Sequence, residues 1–420
     1  MTSAAPRNYQ AVLLVLMTFF VISFITNVMG PLFPALVTDF KISLTLAGFF
    51  PFAFFIAYGV MSIPAGILTE KYGEKPVLIM GFSLSALGAF LFTLYPALIT
   101  ALISLFLIGA AMAMLQVVIN PLLRVAGGEE HFAFNSVLAQ LIFGAGATLS
   151  PYVYTSLLKS LATQPRESWV SLLLGWVPEN LSWLSMYGLF AVLSLCMLVR
   201  ILVMRLPKIE LADNEKAGAL LLHWELLKNK QVQLFFIAIV AYVATEQGVA
   251  NSLSLFLQKY HGFDPETVGA TVVSEFWMLM TIGCFIGLGL LKLLDSRTVL
   301  KIFSVAAILS FLCALFADAN VALLAFPAVG FFLSVMWSVI FSLALNSVPK
   351  YHGSFAGILC TGIIGGALIS PIIGLIADLS GELRNGMLVI LITLGYIFSI
   401  GFWAKPLVTN KTWRSEQAVS

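Results

Sequence analysis

The chain has 420 residues, 60% of them hydrophobic and only 10% charged, which leaves too little polar surface to coat a globule in water and excludes a soluble enzyme. A formal net charge of +2, from 22 Lys and Arg against 20 Asp and Glu, marks no field for nucleic acid or an acidic partner. The 34 Phe and 32 Gly suit lipid-facing surface and close helix packing, so the composition is that of an integral membrane protein.

A bilayer core takes roughly 20 apolar residues per helix. Twelve runs of that kind follow one another at 10-36, 46-69, 77-95, 97-123, 132-158, 184-206, 232-258, 267-291, 299-317, 320-346, 354-377 and 387-404. Arg7 precedes the first run, which continues too long, without a small-residue cleavage site, to be a signal peptide; it is read as a retained span. Runs of this length are not the short alternating strands of an outer-membrane barrel. The expected fold class is therefore an all-α membrane protein with twelve transmembrane helices.

Orientation follows from the basic residues, which concentrate in cytoplasmic loops. With both termini inside, the outer side holds only Lys41, Lys159, Arg166, Lys259 and Arg384 out of the 22 Lys and Arg. The longest hydrophilic stretch on the inner side, 207-231, carries Pro207, Asp213, Asn214, Glu215 and Lys216 and divides the chain. The expected domains are an N-terminal six-helix bundle at 1-206, a cytoplasmic linker at 207-231 and a C-terminal six-helix bundle at 232-420. Within the linker, His223 to Leu227 suit a short amphipathic helix on the membrane surface. Trp169, Trp176 and Trp183 flank the outer loop after span 5 and read as interfacial anchors.

Cys196, Cys284, Cys313 and Cys360 lie inside apolar runs without C-x-x-C spacing and read as small core residues. His131, His223, His261 and His352 fall far apart in polar connections, so neither a metal site nor a cofactor is expected. No nucleophile and base pair stands at membrane depth, and the chain is not expected to be an enzyme.

Polar side chains in hydrocarbon are costly and face a bundle interior or a wet cavity. Two acids lie well within the spans: Glu246 near the middle of span 7 and Glu275 in the outer half of span 8. Both are candidates for cation coupling, by a proton or by sodium, since one carboxylate beside Thr245, Gln247 and Asn251 can titrate or hold a hard cation. Span 7 sets Gln247 and Asn251 one turn apart, with Gly248 between them to let that face bend or approach a ligand. Span 4 sets Gln116 and Asn120 on one face ahead of Pro121. Span 5 contributes Gln140, and span 1 contributes Ser23 and Asn27 ahead of Pro31 and Pro34. In span 10, Ser334, Ser338, Ser342 and Asn346 form a stripe beside Trp337. Amides meet hydroxyls as donor and acceptor, and an indole stacks on a ring face. No Arg or Lys stands at mid-membrane, so the set (Asn27, Gln116, Asn120, Gln140, Gln247, Asn251, Trp337, Ser338) fits a neutral polyol better than an anion. The bland alternative is that the Ser and Asn stripes only join helices.

Two sequence patterns bear on the family. Gly146-Ala147-Thr148-Leu149-Ser150-Pro151 in span 5 is echoed by Gly366-Ala367-Leu368-Ile369-Ser370-Pro371 in span 11, as in a transporter of two parallel halves. The loop after span 2, Gly66-Ile67-Leu68-Thr69-Glu70-Lys71-Tyr72-Gly73-Glu74-Lys75, resembles the G-x-x-x-[DE]-[RK]-x-G-[RK]-[RK] loop of the major facilitator superfamily, with Glu74 in place of a basic residue. Gly66 would let two helices approach, Glu70 would cap or pair with a helix end, and Gly73 permits the turn. Gly66, Glu70, Lys71, Gly73 and Lys75 are therefore expected to govern conformational change.

A likeness over most of the chain is more specific. Phe52-Ala53-Phe54-Phe55-Ile56-Ala57-Tyr58 with Ile63-Pro64-Ala65-Gly66, Leu115-Gln116-Val117-Val118-Ile119-Asn120-Pro121, Leu138-Ala139-Gln140 and Ile363-Ile364-Gly365-Gly366-Ala367 resemble the fucose/glucose/galactose symporter family. That resemblance implies cation-coupled symport of a monosaccharide by alternating access, in a monomer surrounded by lipid in a bacterial inner membrane. It departs where the fucose carriers bring carboxylates from helices 1 and 4, at Gly30 and Gln116 here. Two other readings stay open: an exporter of amphipathic compounds, favoured by the many Phe and Met, and a sensor or scaffold that binds without flux.

Overall fold

A computed structural model describes residues 8–127, 132–162, 177–204, 206, 225–348 and 352–407. Every regular element among them is helical, and twelve helices are long and apolar enough to cross a membrane. We number them α1 (Tyr9–Phe40), α2 (Leu44–Tyr72), α3 (Glu74–Leu94), α4 (Leu98–Gly127), α5 (Phe132–Ala162), α6 (Leu181–Val203), α7 (Lys230–His261), α8 (Pro265–Leu293), α9 (Ser296–Phe316), α10 (Ala319–Leu345), α11 (Phe355–Ser380) and α12 (Leu383–Trp403). The twelve expected spans are all present. Of the expected linker, residues 207–224 lie outside the described residues.

Helix ends follow local chemistry. Asn8, Ser43, Asn229, Asp264, Asp295 and Asp318 each accept a backbone N–H of the first turn they precede, satisfying donors that a helix start leaves free. Gly73 closes α2 and Gly262 closes α7, both at positive φ. Helix α1 departs from the expected single span: it breaks into Tyr9–Thr26 and Met29–Phe40. Pro31 has no N–H to offer the Asn27 carbonyl, and the Asn27 amide instead turns back to donate to the Ser23 carbonyl at 2.9 Å.

Among the first six helices α4 packs on α2 and α3, α3 on α6 and α1 on α5, and among the last six α10 packs on α8 and α9, α9 on α12 and α7 on α11 and α12; the two sets are here called bundles. The bundles meet where α2 lies along α11, α5 along α8, and the second piece of α1 against α7. These contacts gather on the half of the molecule remote from the termini, here called the far side. There Ser274 Oγ donates to the Thr148 carbonyl at 2.5 Å and Thr155 Oγ1 to the Glu266 carbonyl at 2.6 Å. Toward the terminal side the bundles part. Gly66, near the terminal end of α2, has open space around the position a Cβ would take, and Gln140, Ser338 and Ser342 are exposed.

Two sequence expectations are corrected here. Trp183 is not an interfacial anchor: it is 2% exposed, donates its indole N–H to Asp39 Oδ2 at 2.6 Å and packs on Phe92 and Tyr187. Trp169 and Trp176 lie outside the described residues. Cys196 and Cys313 are exposed rather than buried in a core, while Cys284 and Cys360 are half-buried. A membrane protein is apolar on both faces of a helix, so an apolar run does not say which face turns inward.

Candidate functional site

The polar centre of the second bundle is built on α7. Glu246 sits half-buried near mid-helix, bonded to the Tyr242 hydroxyl one turn before it and to Gln247, whose Nε2 donates to Glu246 Oε1 at 3.1 Å. The Tyr242 ring stands 5.8 Å from that of Trp337 in α10, which in turn stacks on Phe341 at 6.0 Å. Gln247 also reaches the meeting point of the bundles: a Cβ at Gly366 of α11 would stand 3.2 Å from Gln247 Cγ and 3.0 Å from the Phe55 ring of α2. Three helices, two of them in one bundle and the third in the other, thus converge beside Gln247.

One turn on, Asn251 is 3% exposed and its Nδ2 has no hydrogen-bond partner among the described residues. The indole N–H of Trp277 in α8 is in the same condition. Desolvated donors without a partner are costly in a folded interior. Trp277 was not singled out from the sequence; an indole in the middle of a span, rather than at its end, was the available signal.

Across the divide, the Tyr58 hydroxyl of α2 donates to Gln116 Oε1 of α4. Tyr58 is buried and Gln116 half-buried. Tyr58 was visible in sequence only as part of a motif, because its partner lies in another helix. Gln140 is exposed on α5. The side chain of Asn120 lies outside the described residues.

Other expected residues are placed elsewhere. The Asn27 amide is occupied within α1 by the Ser23 carbonyl and, at 3.2 Å, by Ser23 Oγ. Gly248 faces Ile369, Ile373 and Ile390, so it serves packing of α7 on α11 and α12 rather than approach of a ligand. The span 10 stripe divides: Ser334 is buried, with the position of a Cβ on Gly283 2.5 Å from its Oγ, whereas Ser338 and Ser342 are exposed. Glu275 is half-buried on the helix face it shares with Met278, Ile282 and Ile286, all exposed, away from the Glu246 cluster.

The loop between α2 and α3 combines a free end with an anchored one. Gly73 holds φ +82°, and Lys71 lies over the Tyr72 ring at 5.1 Å. Lys75 Nζ donates to the Leu202 and Met204 carbonyls at 3.0 and 2.7 Å, capping the end of α6. The Glu70 side chain lies outside the described residues.

Known proteins resemble this arrangement over nearly its whole length. The model of the Major Facilitator Superfamily matches residues 15–363. The "Glucose/galactose transporter" of Brucella abortus (strain 2308) is 28% identical over 414 residues, 95% of either chain. The "L-fucose-proton symporter" of Escherichia coli (strain K12) is 28% identical over 417 residues, 93% of this chain and 92% of its own. The crystal structure of the E. coli fucose:proton symporter (N162A) superposes with a TM-score of 0.67 at 24% identity, covering 94% of this chain and 98% of that one. A bacterial homolog of the human lysosomal transporter Spinster, inward-facing and unoccupied, superposes with a TM-score of 0.75 at 12% identity, over 95% and 98%.

Proposed function

The chain belongs to the Major Facilitator Superfamily, and on that premise we propose that it is a secondary transporter, a proton-coupled symporter of a monosaccharide working by alternating access. The substrate class is a hexose, deoxyhexose or amino sugar. The observation that carries this reading is the convergence on one carboxyl of donors and a ring: Glu246 with Tyr242 and Gln247, Trp337 against Tyr242, and Phe55 of the other bundle against Gly366 beside Gln247.

In this reading Gln247, Asn251, Trp337 and Gln116 meet the sugar, and Gln140 and Ser338 line the path toward the terminal side. Asn251 and Trp277 each hold a buried N–H without a partner among the described residues, which suits a ligand rich in hydroxyl acceptors. Glu246 carries the coupling proton. A sodium site calls for several oxygens turned on the ion, whereas the atoms that meet the Glu246 carboxyl are the Tyr242 hydroxyl and the Gln247 Nε2 donor. The name of the E. coli relative, a proton symporter, supports the same ion.

The basic residues of the loops on the terminal side support placing that side in the cytoplasm, the membrane being a bacterial inner membrane and the conformation inward-facing. Residues 1-206 and 232-420 rock about their shared seam, joined by the linker 207-231. Both halves of the cycle lie in one chain, and it acts as a monomer.

Counterflow and uptake in proteoliposomes, with a panel of hexoses, deoxyhexoses and amino sugars, test the reading. Accumulation of one of them under an inward proton gradient, and not under a sodium gradient alone, is expected. Sodium-driven accumulation would overturn the proton assignment, and binding without flux would overturn transport in favour of a sensor. Extrusion of amphipathic dyes without sugar flux would make the chain an exporter.

A further inference from the structure

We propose that Asp378 is the latch that holds the far side of the carrier closed, by capping from one bundle the first turn of a helix in the other. A helix start leaves backbone donors unpaired, and at the start of α2 the Ser43 hydroxyl accepts Leu46 N–H at 3.3 Å. The donors left over are answered from α11. Asp378 Oδ1 accepts Leu44 N–H at 3.1 Å, and its Oδ2 accepts Thr45 N–H at 2.7 Å and the Thr45 hydroxyl at 2.5 Å. Hydrogen bonds to a carboxylate are about twice as strong as neutral ones, and the positive end of a helix favours the charge.

The backbones around this contact are shaped to let it form. Gly374, one turn before Asp378, faces Thr45, with a Cβ position 2.7 Å from Thr45 N. Gly48, one turn into α2, faces the turn at Pro371, with a Cβ position 2.6 Å from Pro371 N. Neither position accepts a side chain without parting the helices. The neighbouring charged groups are engaged elsewhere: Lys259 Nζ donates to the Gly381 carbonyl at 3.4 Å, and Glu382 accepts the Tyr260 hydroxyl at 2.7 Å.

These Asp378 bonds, and that of the Ser43 hydroxyl to the same carboxylate, cross between the bundles, so they exist only while the far side is closed. At the other end of α2, no atom of the described residues lies within 4 Å of where a Cβ on Gly66 would stand. The latch therefore biases the carrier toward the state in which its terminal side is open, and it must break each time the carrier turns to receive substrate from the far side. This inference rests on the alternating-access reading above, and its test uses no sugar, so failure to identify a substrate leaves it standing.

Hydrogen–deuterium exchange of the full chain in lipid nanodiscs reads both ends at once. In Asp378→Ala, exchange of peptides over 42–50 and 370–382 should rise about tenfold, equivalent to about 1.4 kcal/mol, while peptides over 60–72 slow as the terminal side closes. Asp378→Asn should shift in the same direction by less, and Thr45→Val, which keeps both backbone bonds, by least; these two keep the test informative if the alanine variant does not fold. Faster exchange confined to 42–46, with 60–72 unchanged in every folded variant, would reduce Asp378 to a local helix cap and overturn the proposal. Unchanged exchange at both ends would overturn it as well.

Discussion

Gly30 in the second piece of α1 lies against the carbonyl oxygen of Ala250 in α7, close enough that a Cβ there would overlap it. The same Cβ would stand 3.4 Å from the Val273 side chain of α8. In the conformation seen here no side chain fits at this position without a shift of the α7 backbone. Gly30→Asp and Gly30→Ala should therefore disfavour the far-side-closed state and slow sugar uptake at least about tenfold, since overpacking at a tight seam costs about 1–3 kcal/mol. Sugar binding from the far side should survive. Uptake at the parental rate in both variants would mean that the seam opens at no cost at Gly30.

The Tyr58 and Gln116 pair predicts a coupled loss. Gln116→Leu strands the Tyr58 hydroxyl in a buried site and removes one sugar partner, which should weaken sugar binding about tenfold or more. Tyr58→Phe alone should cost less, because it leaves the Gln116 amide in place to meet a sugar hydroxyl. Binding isotherms of the two single variants and the double variant separate the effects; if Gln116→Leu binds sugar as tightly as the parent, Gln116 lies off the sugar path.

Gly66 and Gly73 should respond differently to added bulk. Gly66 has room around it here, so Gly66→Val is compatible with the conformation seen here and should slow the step that leaves it, lowering the uptake rate with little change in sugar affinity. Gly73 holds positive φ, and Gly73→Ala should cost about 1 kcal/mol in local strain. Rates and affinities measured side by side decide this, and an uptake rate for Gly66→Val equal to the parent would leave the loop as a mere connection.

Span number and position were legible in the sequence because hydrocarbon thickness fixes helix length, and Glu246 was legible because an acid at mid-membrane is costly wherever it points. Rotation about each helix axis was not legible. Glu275 turned out to share its face with exposed Met278 and Ile282, Trp183 to be buried on Asp39, and Cys313 to face outward. The Asp378 contact with Leu44 and Thr45 joins positions more than three hundred residues apart, and an exposed Asp at a helix end carries no local sign of it. Long-range pairing of this kind comes from how the bundles meet, which no window of sequence contains.

Trp183 offers a test of packing apart from transport. Trp183→Phe keeps an aromatic ring against Phe40, Phe92 and Tyr187 but leaves Asp39 Oδ2 without its indole donor. A loss of about 1–3 kcal/mol in stability is expected, visible as a lower midpoint of thermal unfolding in detergent, with sugar affinity unchanged. An unchanged midpoint would mean that water replaces the indole at no cost.

The coupling assignment rests on Glu246, the carboxyl bonded to Tyr242 and Gln247 where the two bundles converge. If this group carries the transported proton, its protonated and ionised forms must favour different stages of the cycle, and a side chain that cannot change charge would bind sugar yet fail to harness the gradient. Glu246→Gln keeps the size of the side chain and its capacity to accept from Tyr242, so the sugar site is left nearly intact. Gradient-driven accumulation should be abolished, while sugar–sugar counterflow, which needs no net proton movement, should persist. Loss of both activities together with sugar binding would put Glu246 in recognition of the sugar. Accumulation at the parental level with the same dependence on the proton gradient would remove Glu246 from coupling altogether, and Glu246→Asp, which retains an acid one methylene shorter, should then also behave as the parent instead of retaining partial, slower accumulation.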